Sequence, residues 1–92
     1  MTVPDYIIIP NFGCLMEYYL QRKNIKVAEL AEKCSLPRRT VSRYMLGEYP
    51  RDRDLTILLC DALDLHGDEK IHFIHMAGFL TDLEILEKRY SY

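Results

Sequence analysis

The apolar residues of this chain recur every three or four positions in a series of short segments, which is the spacing of one face of an α-helix. This periodicity constrains the fold more than any other feature of the sequence. Residues that cap or stop helices bound the segments: Asn11 precedes the first, Pro37 opens the third and Gly47 ends it. Only residues 3–10 have strand composition, and no second strand is visible to pair with them. We therefore predict an all-α fold of five to six helices with a short extended N-terminal arm.

The predicted helices cover residues 11–23, 27–34, 37–46 and 54–63, followed by a fifth helix that Asp68 caps. A sixth, short helix opens with a capping box formed by Thr81 and Glu84. Residues at helical spacing mark one face on five of the six predicted helices. In chain order these are Phe12, Leu15, Met16, Tyr19 and Leu20; Leu30, Ala31 and Cys34; Leu55, Leu58, Leu59 and Ala62; Ile71, Ile74, His75 and Gly78; and Leu83, Leu86 and Tyr90.

Length and composition indicate one globular domain, because 92 residues with 49% hydrophobic and 28% charged side chains form one modest core. We divide residues 1–92 into an arm (1–10), a core (11–79) and a C-terminal helix (80–92). No apolar run approaches the roughly 18 residues of a membrane span, and the start lacks the basic region of a signal peptide. A cytoplasmic location without membrane contact is expected. Cys14, Cys34 and Cys60 lie in apolar helical patterns without metal-binding spacing, and we predict buried, reduced thiols.

Basic residues are concentrated in the middle of the chain. Nine of the twelve lysines and arginines fall between Arg22 and Arg53, against four carboxylates, so this segment carries +5. The rest of the chain carries −7, which gives the total of −2. Because phosphate attraction depends on the local face and decays within roughly 8–10 Å, a net acidic chain can still bind a polyanion through this segment.

The second and third predicted helices are separated by a turn of three or four residues. Two such helices cross at a wide angle only if the residues between them are small or interlock well, and Ala31 supplies a small contact. The predicted apolar wedge beneath them consists of Leu30, Leu36, Val41 and Tyr44. This arrangement leaves Arg38, Arg39, Ser42 and Arg43 on the outward face of the third helix.

In this region the chain resembles the phage-repressor helix-turn-helix family, also called the XRE family. The resemblance covers residues 12–79 and is carried by Leu30-Ala31, Leu36, the run Thr40-Val41-Ser42-Arg43, Gly47 and the later run Asp61-Ala62-Leu63-Asp64-Leu65. It implies a lambda-repressor-like DNA-binding domain with the helix-turn-helix at about residues 27–46.

The resemblance also implies roles for individual side chains. Residues at the base-reading positions are Arg38, Arg39, Ser42 and Arg43, and arginine there usually binds guanine O6 and N7 through two donors. Residues at phosphate-binding positions are Arg22, Lys26, Tyr49, Arg51 and Arg53.

Three residues depart from the family pattern. Val27 stands where a glutamine usually braces the phosphate and the recognition helix. Lys26 replaces the usual Ser or Thr cap, which removes about 1 kcal/mol of helix stability. Ser35 replaces a turn glycine, where a left-handed backbone costs a non-glycine residue about 1 kcal/mol.

The function that follows is a sequence-specific regulator of transcription, a repressor of phage, plasmid or bacterial origin. One recognition helix buries too little surface for operator specificity, so we expect a homodimer on an inverted repeat of double-stranded DNA. The dimerisation candidates are apolar residues near the two ends of the chain: Leu83, Leu86, Tyr90, Ile7 and Ile9, with the C-terminal group preferred.

Two other hypotheses about the function remain open. The same fold could bind a protein partner, as an antitoxin or inhibitor does. The part of the chain outside Arg22 to Arg53, with its net charge of −7, would then face a basic protein. The chain could also be the N-terminal DNA-binding domain of a longer regulator.

Enzyme and metal chemistry find little support in the sequence. His66, His72, His75 and Cys60 lack the spacing of a full ligand set, so no metal or other cofactor is expected. No glycine-rich phosphate loop, activated nucleophile or paired-carboxylate site can be placed, and we predict a protein that is not an enzyme.

Overall fold

The computed structural model describes residues 5–81 and 84–86, which contain five α-helices and no β-strand. The helices are α1 (Phe12–Arg22), α2 (Val27–Lys33), α3 (Arg38–Met45), α4 (Arg53–Ala62) and α5 (Asp68–Met76). The all-α prediction is confirmed for these residues, and the first five predicted helices agree with the observed ones to within one or two residues. Of the sixth predicted helix the structure describes residues 84–86, which are helical. No helix in this part of the chain is long and apolar enough to cross a membrane.

The predicted extended arm is wrong where the structure describes it, because Asp5–Ile8 forms a 3-10 helix. The N–H of Ile9 donates to the carbonyl of Tyr6 at 3.4 Å. A single segment without a neighbouring strand must find backbone partners elsewhere, and a tight helical turn supplies some locally. The Tyr6 ring packs against His72 on α5 with ring centroids 5.0 Å apart.

A single apolar core lies between the helices. α1 packs against α3 and α5, while α2 contacts α3 and α4. The rings of Phe12 and Phe73, from α1 and α5, meet edge to face at 5.0 Å, and Tyr19 is fully buried beside them. The predicted inward face of α1 is confirmed.

The predicted faces of α4 and α5 are partly wrong. Leu58 and Ile71 are 42% and 44% exposed, and His75 and Gly78 are also exposed. The side chains buried instead are Thr56, Cys60, Phe73 and Ala77. Several overlapping sets of positions have helical spacing on these helices, so periodicity alone does not identify the buried set. Thr56 tolerates burial because its hydroxyl donates to the carbonyl of Asp52 at 3.0 Å.

The prediction for the cysteines is confirmed at two positions and wrong at the third. Cys34 and Cys60 are buried free thiols, and burial raises their pKa, to about 12 for Cys60. Cys14 is exposed. It lies about 200° around the helix from Phe12, and therefore on the opposite side from the buried face.

All five α-helices end with the same backbone motif. A residue with positive φ follows each C-cap. Its N–H and the N–H of the next residue donate to carbonyls near the end of the helix, as in a Schellman motif. The residues with positive φ are Asn24, Ser35, Gly47, Asp64 and Gly78. An apolar residue follows four of them, and these residues are Ile25, Leu36, Leu65 and Phe79. These motifs reverse the chain in few residues, which explains the short connections.

Candidate nucleic-acid interface

The inner side of α3 is fixed by packing against two helices. Val41 and Tyr44 are buried, and the N–H of Leu36, just before α3, donates to the carbonyl of Ala31 on α2 at 2.8 Å. The predicted wedge is confirmed for Leu30, Val41 and Tyr44, while Leu36 is half-buried. The rotation of α3 about its axis follows from these contacts.

Gly13 brings α1 unusually close to the end of α3. A Cβ at this position would lie 2.7 Å from the carbonyl oxygen of Met45 and 3.0 Å from that of Tyr44. Gly13 was not among the residues predicted to position α3. The available signal was a glycine inside an amphipathic helix, where it costs about 1 kcal/mol relative to alanine and often indicates close packing.

The outer side of α3 presents the four predicted base-reading residues. Arg38, Arg39, Ser42 and Arg43 are all exposed. At about 100° per residue they occupy an arc of about 140° on one side of the helix. The three guanidinium groups form no ion pair with any described residue.

All the charged side chains of α3 are positive. α3 is the only one of α1–α5 that contains no acidic residue. Its N-cap, Pro37, provides no side-chain acceptor, and the first turn has no carboxylate. The positive end of the helix dipole therefore adds to the charges of Arg38 and Arg39.

Two predicted phosphate-binding residues lie before α3 in the chain, and both are exposed. Arg22 ends α1 with its guanidinium 5.8 Å from the centroid of the Tyr18 ring. Lys26 precedes α2, and its backbone N–H donates to the Glu29 carboxylate at 3.5 Å. The side chain of Lys26 does not cap the helix, because an ammonium group can only donate hydrogen bonds.

The loop after α3 carries two more of these residues. Tyr49 is 59% exposed, and its ring stacks on Phe12 at 6.1 Å. This contact holds the ring while part of its surface remains open to solvent. Arg51 is exposed, with its Nε 3.4 Å from the Asp52 carboxylate.

The fifth residue of this group, Arg53, is placed differently. Its side chain is half-buried, and its Nε donates to the carbonyl of Leu80 at 2.6 Å. Arg53 thus connects the start of α4 to the segment that follows α5. Its assignment to phosphate binding rests on the resemblance alone.

The dimerisation candidates are only partly within the described residues. Ile7 and Leu86 are 49% and 48% exposed, whereas Ile9 is half-buried against the core. Leu83 and Tyr90 lie outside the residues that the structure describes. A groove of about 370 Å³ whose lining includes Ile57, Ile71 and Ile74 was not predicted from the sequence.

The histidines occupy three separate environments. The Nδ1 atom of His72 is buried without a hydrogen-bond partner among the described residues, and burial lowers its pKa. His66 and His75 instead bond to Asp64 at 2.7 Å and to Glu84 at 2.5 Å. Within residues 5–81 and 84–86, no three metal-binding side chains are grouped to hold an ion.

No protein-family model, curated protein or solved structure matches this chain.

Proposed function

We propose that this protein is a sequence-specific double-stranded DNA-binding regulator of transcription, with α2 and α3 acting as a helix-turn-helix. The observation that carries the proposal is the exposed arc of α3, which combines three arginines and a serine with no acidic residue. In this role α3 enters the major groove, where Arg38 and Arg39 bind base edges. Arginine binds guanine with two parallel hydrogen bonds, which is the commonest specific contact to a base pair.

The residues around α3 would contact the DNA backbone. Arg22, Lys26 and Arg51 are exposed cations, and Tyr49 offers a hydroxyl donor. Contacts of this kind set the register and the salt dependence of binding without reading the sequence. Arg53 is left out of this set, since Leu80 engages its Nε.

The regulator acts as a homodimer on an inverted repeat in this proposal. Two recognition helices related by twofold symmetry reach half-sites about 34 Å apart, which supplies the surface that a single α3 lacks. Repression follows if the operator overlaps a promoter.

The decisive experiment is selection of bound duplexes from a random pool, followed by affinity measurements with two double variants. The double variant Arg38→Ala/Arg39→Ala removes both positive charges and the paired donors of the two guanidinium groups. It should abolish selective binding. Arg38→Lys with Arg39→Lys keeps the charges but not the two-pronged donor geometry. This second variant should retain salt-sensitive binding and lose the sequence preference.

The outcomes separate the possible functions. A palindromic, guanine-containing site that both double variants fail to prefer supports the regulator. Equal selectivity in all three proteins contradicts the assigned base-reading face. If the wild-type chain enriches no site at low or moderate salt, DNA reading is wrong, and the alternative of a basic protein partner facing the acidic remainder of the chain becomes the working hypothesis.

A further inference from the structure

Leu46 is an apolar side chain in an unexpected place. It is 87% exposed, more than any other large apolar residue in the described part of the chain. It is the C-cap of α3, and its backbone remains in the right-handed helical region at φ −89° and ψ −1°. The helical geometry of α3 therefore extends to Leu46.

The position of Leu46 on the helix places it within the proposed base-reading face. At about 100° per residue, it lies about 20° from Arg39 and about 40° from Ser42 around the axis. It is about 6 Å further along the axis than Ser42, a distance of roughly two base-pair steps. Side chains on a helix lean toward its N-terminus, so Leu46 lies over the turn that contains Ser42 and Arg43.

Stability does not account for a leucine at this site. The backbone N–H of Leu46 caps α3 by donating to the carbonyls of Ser42 and Arg43 at 3.1 Å each, which any residue except proline could do. A side chain with this exposure contributes little burial to the core. An exposed leucine in a cationic surface gains free energy when a partner supplies an apolar contact.

The major groove offers one apolar group, the C5-methyl group of thymine. We propose that Leu46 contacts a thymine methyl group in each half-site and so determines specificity beside the arginines. The inference rests on the proposed function, because it needs α3 in the major groove. Arginine supplies the polar part of base recognition and is indifferent to this methyl group, so Leu46 adds a separate requirement.

The test uses the selected duplex, with each thymine replaced in turn by deoxyuridine, which lacks only the methyl group. Burial of one methyl group corresponds to a loss of about fourfold in affinity per contact when it is removed. Wild-type protein should lose about this factor at one thymine position per half-site. The Leu46→Ala variant should bind the thymine duplex more weakly than wild type does. Its affinity should not change when deoxyuridine replaces thymine at that position.

Ile8→Ala is the matched control, because Ile8 is also a strongly exposed apolar residue, at 77%, but lies outside α3. It should respond to deoxyuridine as the wild type does. The inference is overturned if selective, arginine-dependent binding persists but no thymine position couples to Leu46, or if the selected half-site contains no thymine. Failure of the proposed function has a different signature, the absence of any selected duplex, and this result also rejects the inference.

Discussion

Among the residues that the structure describes, three that are not glycine have a left-handed backbone, and each follows the C-cap of a helix. Asn24, Ser35 and Asp64 have φ values of 54°, 53° and 56°. Asparagine and aspartate tolerate this region because their side chains can bond locally, whereas serine has less compensation. Ser35 is therefore the least suited of the three, and it lies in the turn between α2 and α3.

Replacing Ser35 with glycine should stabilise the protein. Glycine removes the steric cost of the left-handed backbone, about 1 kcal/mol, and part of this gain is offset by the greater freedom of the unfolded chain. We expect the free energy of unfolding in urea to rise by about 0.5–1 kcal/mol. Ser35→Ala is the control and should give no gain, because alanine has the same steric conflict. An equal gain from both variants would contradict this explanation.

Among the helices, the contact between α1 and α3 sets the position of α3 and the direction in which its outer side faces. The backbone at Gly13 approaches the last carbonyls of α3, and Val41 and Tyr44 fill the interior beneath them. Both partners at this contact are backbone, so an added side chain cannot be accommodated by a rotamer change.

Gly13→Ala should therefore be destabilising although alanine is the better helix former. A Cβ 2.7 Å from the Met45 carbonyl oxygen requires α1 and α3 to separate, and we expect a loss of about 1–3 kcal/mol in chemical denaturation. The same displacement should weaken DNA binding more than the loss of stability explains. Cys14→Ala, at the exposed neighbouring position, should change neither quantity. A stabilised Gly13→Ala protein would show that the helices move apart freely.

The helical turn that follows α5 is held by Glu84. Its carboxylate accepts from the N–H and hydroxyl of Thr81 at 3.1 and 2.8 Å, and it also bonds to His75 on α5. The predicted capping box is thus present, and the contact to α5 was not predicted. The bond to His75, followed by the bonds to Thr81, lowers the pKa of Glu84 to about 2.

This shift gives the stability a defined pH dependence. A carboxylate whose pKa is lower in the folded chain stabilises it above its ordinary value of 4.5 and loses that effect as the pH falls through about 2. Glu84→Gln should have a lower melting temperature than wild type near neutral pH, with the difference vanishing toward pH 2. Glu32→Gln, at an exposed position of α2, serves as the control. A difference between Glu84→Gln and wild type that is independent of pH would contradict the assigned cause.

At the scale of the whole molecule, charge is separated along the chain. The segment from Arg22 to Arg53 carries +5, while the remainder carries −7. If the protein binds DNA as proposed, the salt dependence of its affinity should therefore come from the few phosphate contacts that this segment makes. Arg51→Ala should lower the slope of log affinity against log salt by about 1 and leave the preferred sequence unchanged. Glu48→Ala provides a control of the opposite charge from the same loop, and its slope should not fall.

The oligomeric state is the second property at this scale. If the C-terminal segment forms the proposed dimer, Leu86→Asp introduces a charge into an apolar interface. Sedimentation should then show monomers at concentrations where wild type is dimeric, with operator affinity reduced more than about tenfold because only one half-site is engaged. Ile7→Asp tests the other end of the chain. Dissociation by Ile7→Asp alone would move the interface to the N-terminal residues.

Sequence periodicity and caps predicted the helix positions well because both signals are local. Asn11 accepts from the N–H of Cys14 at 2.9 Å, and Ser35 has the left-handed backbone that its place in the turn indicated. The prediction of an extended arm was wrong because an extended segment needs a neighbouring strand to satisfy its backbone hydrogen bonds. The exposure of Leu58 was missed because helical spacing alone does not specify which face of a helix packs against its neighbours. Cys14 is different, because its position about 200° from Phe12 already places it opposite the predicted apolar face.

Local sequence patterns were sufficient to predict the order of the helices, their approximate ends and the outward placement of Arg38, Arg39 and Arg43, because spacing and backbone preference act within a few residues. Packing between helices sets which faces of α4 and α5 are buried, how closely Gly13 approaches α3, and the contact between Arg53 and Leu80. These features depend on contacts between segments distant in the chain, and their geometry exists only once the helices have packed.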